Sequence, residues 1–201
     1  MDIRSEYDFL MDKLLREGPV SSGARKEIFL KFVDLYIKSV DMLEHDVADR
    51  IATYISEEGT SEIREDLQEK VETLSHRKDI IESINSWIVK ITDQIAVVVR
   101  AEHDFLMKKL FREGPLSSDA KKEILIKLVD VYIKAVNTFE HDVVHGIDIC
   151  IYEDGTPEIL EYLREKKQVL KHEKYIVESI DSWVNKILER SSHRGQQASP
   201  R

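Results

Sequence analysis

One cysteine stands in the whole chain of 201 residues, at Cys150, so an internal disulfide framework is excluded and a reducing compartment suits the protein. Helix breakers are scarce, with four prolines and seven glycines, and neither occurs anywhere between residues 61 and 113. No apolar run approaches the roughly 20 residues that span a bilayer, which argues against membrane insertion. The start, MDIRSEYDFL, carries acids and no apolar core of a secretory signal, so the cytoplasm is the expected location. Positive charge is in deficit: 30 Lys and Arg against 39 Asp and Glu give a net charge of −9, which excludes nucleic-acid binding as the main business. A Gly-rich phosphate loop and a nucleophile with a neighbouring base are also missing. The sequence names no small-molecule substrate and points away from an enzyme.

What is present is a duplication. Residues 5–94 align with 101–190 at a constant offset of 96 without a gap, and about half of the aligned positions are identical. EYDFLMDKLLREGPVSS returns as EHDFLMKKLFREGPLSS, LEHDV as FEHDV, and ESINSW as ESIDSW. With 42% hydrophobic and 34% charged residues, the composition is that of an ordered, water-exposed protein.

Hydrophobic spacing of three and four predicts an all-α fold: a tandem duplication of a three-helix, short–long–long antiparallel unit. The first helix is expected over residues 3–17 (Phe9, Leu10, Leu14), stopped by Gly18-Pro19, with Ser21 and Ser22 capping the next. A long second helix follows over 23–58, with a seam of Phe29, Val33, Tyr36, Val40, Leu43, Val47, Ile51 and Ile55. Gly59 ends it and Thr60 caps the third. In the second copy Gly114-Pro115, Ser117-Ser118 and Gly155-Thr156-Pro157 repeat this punctuation. With no breaker before Gly114, the third helix is expected to run on into the first helix of the second copy as one rod of roughly 80 Å. The expected division is 1–98, 99–190 and a disordered polar tail over 191–201. Trp87, Trp183, Tyr36 and Tyr132 read as core, and Cys150 as a small buried side chain.

Folding the two long helices back at Gly59-Thr60 brings His45 and His76 to one level beside Glu44. The same operation at Gly155-Thr156 brings His141 and His172 together beside Glu140. One reading is a buried polar layer, Glu44 paired with Arg77 or His76, that fixes helix register. The other is a divalent or iron metal ion held by Glu44, His45 and His76 and by Glu140, His141 and His172, since helical bundles build metal centres from Glu and His on facing helices. The Glu-x-x-His signature of such centres is absent. His141-x-x-x-His145 shares a helix face, but the copy of His145 is Asp49.

LEHDVAD at residues 43–49 followed by REDL at 64–67 resembles the PhoU-like family. That resemblance implies two three-helix repeats, E-x-x-x-D carboxylate motifs that hold metal ions, and a role in regulating phosphate uptake. This chain departs from the pattern. Glu44 and Asp49 lie one residue too far apart, His145 stands in the second copy where Asp49 stands in the first, and Ser75-His76 occupies the place of paired acids. The departures imply a metal function altered or lost.

The functional expectation is a non-enzymatic helical-repeat protein without a cofactor, acting through protein–protein contacts as adaptor, regulator or assembly unit. Self-association is expected through an apolar cluster at Ile95, Val98 and Val99. The alternative is a metal-binding bundle of PhoU-like type with a regulatory role.

Overall fold

The computed structural model describes residues 2–16, 21–74, 76–112 and 114–197, the side chains at 16, 22 and 193–197 excepted. Among the described residues there are nine α-helices, one 3₁₀ turn and no strand. The all-α class expected from the spacing is therefore present. The chain divides into two units, Met1–Ile95 and Ala96–Arg201. The first contains α1 (Ile3–Arg16), α2 (Ser22–Asp41), α3 (His45–Glu58), α4 (Ser61–Thr73) and the opening part of α5 (Lys78–Arg112). The second contains the rest of α5, then α6 (Ser118–Asn137), α7 (His141–Asp154), a 3₁₀ turn (Pro157–Ile159), α8 (Leu160–Val169) and α9 (Lys174–Gln197).

Several boundaries follow from local chemistry. The Ser21 hydroxyl accepts from the Ala24 N–H at 3.3 Å, Ser117 accepts from Ala120 at 3.2 Å, and Thr60 accepts from Ile63 at 3.5 Å. Each satisfies one orphan amide of a first helical turn. Gly114 takes φ +93°, which a residue with a Cβ rarely adopts. The matching stop at Gly18-Pro19 lies outside the described residues.

The expected long second helix is instead two helices folded back on each other. α2 closes with the Glu44 N–H bonded to Ser39 O at 2.9 Å and the Leu43 N–H to Val40 O at 3.2 Å. This is the Schellman pattern, with Leu43 in the left-handed position that glycine usually takes, at φ 60°. The second copy does the same with Phe139 at φ 59°, through Glu140 N–H to Ala135 O and Phe139 N–H to Val136 O. The expected third helix also breaks, between Thr73 and Lys78, and its copy between Val169 and Lys174. The described residues of each unit therefore form five helical segments rather than three.

Ion pairs and close contacts give the directions. Arg4 reaches Asp46 and the Arg50 guanidinium lies 4.6 Å from the Tyr7 ring, so α1 and α3 run the same way. Lys26 with Asp66, Asp34 with Lys70 and Asp41 with Arg77 align α2 with α4. Short connections then make successive segments antiparallel. In the second unit Arg100–Glu140, Glu102–Lys134 and Asp130–Lys166 repeat the pairs Arg4–Glu44, Glu6–Lys38 and Asp34–Lys70, each 96 residues on. The C-terminal part of α5 thus takes the place of α1.

The core of the first unit gathers Phe29, Phe32, Leu35, Ile51, Ile55, Leu67, Ile84 and Ile91, each almost wholly buried. Burying one such side chain contributes about 1.5–3 kcal/mol. Trp87 meets Tyr36 edge-on at 4.7 Å and Trp183 meets Tyr132 at 4.8 Å, both in the core as expected. The tyrosine hydroxyls reach Ser83 at 2.8 Å and Ser179 at 2.6 Å. Gly59 and Gly155 are favoured by close approach of backbone: an added Cβ would stand 2.8 Å from Ile55 O in one case and 2.4 Å from Ile151 O in the other. Two seam residues turn outward, against expectation. Phe9 is exposed, and Leu43 is exposed because the chain reverses there. The polar tail, expected to be disordered from Ser191, continues α9 through Gln197, and residues 198–201 lie outside the described part.

Candidate functional sites

Glu44 and Glu140 sit at the N-cap positions of α3 and α7, and neither side chain caps its helix. Their carboxylates turn to arginines instead. Arg4 donates to Glu44 at 3.0 Å and to Asp46 at 3.1 Å, and Arg100 pairs with Glu140 at 2.8 Å. The expected Glu44–Arg77 pair does not form. Arg77 pairs with Asp41 at 2.9 Å and with Asp79 at 3.5 Å, because the break after Thr73 points it along α2. Such exposed pairs order a turn more than they stabilise a fold. Among the described residues, Glu44 and Arg77 therefore do not form the expected buried polar layer.

His45, His76, His141 and His172 are all exposed, as are Asp49 and His145. Among the described residues no three His, Cys, Asp or Glu side chains are grouped so that they could hold a metal ion. A bundle metal centre needs its ligands to converge within about 2.0–2.2 Å of one ion. With Glu44 and Glu140 engaged by arginine and their histidines in solvent, this donor set does not fit one.

The apolar cluster of α5 separates by face. Val99 is fully buried, and Ile95 packs against the core of the first unit. Val97 and Val98 are 62% and 61% exposed. At 100° per residue Val97, Val98, Ala101 and Phe105 fall within one arc of about 100°, and Val99 and Leu106 lie on the opposite side. Phe105, 55% exposed with the Lys109 ammonium 4.6 Å over its ring, was missed by the sequence reading. Its seven-residue step from Val98 was the available signal. Leu43 and Phe139, 73% and 75% exposed, were missed too, since nothing in a leucine or phenylalanine announces a left-handed turn.

Cys150 is buried as expected, and burial pushes its thiol up to about 12. Such a thiol is protonated and unreactive at neutral pH. Comparison with family models, with curated proteins and with solved structures finds no match.

Proposed function

We propose that this is a non-enzymatic helical-repeat protein that works through protein–protein contacts as an adaptor, regulator or assembly unit, and that it associates with itself through α5. The observation that carries this reading is the exposed stripe of Val97, Val98, Ala101 and Phe105. Apolar side chains left in water along one helix face are stabilised when a second helix covers them, at about 25 cal/mol per Å² of apolar surface removed from water. The polar surroundings of the stripe, Asp104, Lys108 and Arg112, suit the rim of such a contact. Tandem duplication fits an assembly role, since it offers one chain two related surfaces.

Sedimentation equilibrium of the wild type and of Val98→Asp tests this. The wild type is expected to sediment above its monomer mass of 23.4 kDa, and the variant to return to it with its helical content intact. A variant that keeps the wild-type mass removes α5 as the contact.

A further inference from the structure

The two copies act as each other's control along the groove between the third and fifth helical segments. In the first unit this groove is a cleft of about 660 Å³ between α3 and α5. On its α5 wall Glu82, Ser83, Ser86, Trp87 and Lys90 recur unchanged 96 residues later in α9, and Asp79 alone changes, to Tyr175. Its α3 wall does not: Asp49, Ala52, Thr53 and Ser56 become His145, Asp148, Ile149 and Tyr152. Small residues line the first copy where large ones stand in the second.

In the second unit the larger residues satisfy the wall opposite. Asp148 Oδ1 accepts from Trp183 Nε1 at 2.7 Å, and the Lys186 ammonium lies 5.0 Å from the centre of the Tyr152 ring. In the first unit the place of Asp148 is held by Ala52. Trp87 is 3% exposed and is seated on Tyr36 in the geometry that Trp183 has on Tyr132, at 79° and 76° between ring planes. Trp87 lines the cleft, and its indole N–H has no protein acceptor among the described residues where Trp183 has Asp148. Lys90 has no carboxylate partner among the described residues, and Asp49 and Glu82 have no cation. Asp79, at the cleft edge, is held by Arg77.

We propose that this cleft binds a small zwitterion of amino-acid size. Its carboxylate takes the part that Asp148 plays in the second unit, accepting from Trp87 Nε1 with Lys90 nearby. Its ammonium is met by Asp49 and Glu82. An anion without the ammonium would face those two carboxylates uncompensated, and an amine without the carboxylate would leave Lys90 and the indole N–H to water.

The test uses the full chain labelled with ¹⁵N, whose two tryptophans give two indole N–H signals. Free amino acids are titrated singly, followed by the deaminated and the decarboxylated analogue of the best. The Trp87 signal is expected to move saturably with the Trp183 signal still, and each analogue to bind at least tenfold more weakly. Ala52→Asp, and separately Ser56→Tyr, install residues the second unit already carries. Each is expected to keep the fold by circular dichroism and abolish the response, and Ala52→Asp also assigns the Trp87 signal by shifting it in free protein. The proposal is overturned if no amino acid moves the Trp87 signal, if either analogue binds as well as its parent, or if both substitutions leave binding intact.

Discussion

Cys150 shows how one buried side chain sets a pH limit. In the unfolded chain the thiol loses its proton near the ordinary 9.0, whereas in the fold burial holds it to about 12. Below the lower value both states carry the proton. Between the two the native state binds more protons than the unfolded state, so stability falls as pH rises across that window. Tyr132, also raised by burial, adds a loss of the same sign once the unfolded tyrosine ionises. Urea midpoints at pH 8 and pH 11 are expected to show a clear alkaline loss in the wild type and a smaller one in Cys150→Val. Equal losses in the two proteins would place the effect elsewhere. The same residue was legible in the sequence as a small buried side chain, because a lone cysteine on an apolar helix face has few other roles. Phe9 was not legible. Its spacing fits the buried face of α1 on paper, and only the position of α2 and α3 shows that Leu10 and Tyr7 point inward while it does not.

At the scale of elements, helix starts could be read and reversals could not. Ser21, Thr60 and Ser117 declare themselves by their hydroxyls, and Pro157 by its fixed φ. The α2–α3 and α6–α7 reversals use leucine and phenylalanine at left-handed backbone, where periodicity sees only another seam position. Weaker signals existed: Asp46 and Asp142 in first turns, and the poor helix formers Asn137 and Thr138 before the second reversal. A left-handed residue with a Cβ costs roughly 1–2 kcal/mol, which glycine removes at some expense in unfolded-chain entropy. Leu43→Gly and Phe139→Gly are each expected to stabilise by about 1 kcal/mol, or roughly 2–4 °C in melting temperature for a chain of this size. A lowered melting temperature would mean that these exposed side chains make contacts in the folded protein. The misplaced reversals also explain the candidate site. Glu44, His45 and His76 were levelled on a two-helix hairpin, and the chain has four segments where that hairpin has two.

At the scale of the molecule, the duplication was legible throughout, down to ion pairs that recur 96 residues apart. The divergence between copies carries as much information as the likeness. On the α3 and α7 faces, Ala52 and Asp148 separate an open cleft from a satisfied one. That contrast needed the fold, because position 52 gains meaning only when Trp87 is seen beside it. The central claim is that the Glu and His positions order turns and surface, and that the protein acts through its faces rather than through a metal centre. Elemental analysis of dialysed, tag-free protein against a His45→Ala/His141→Ala double variant tests it most directly. No stoichiometric metal in either protein, with unchanged helical content, is the expected result. Stoichiometric metal in the wild type that disappears in the double variant would contradict it.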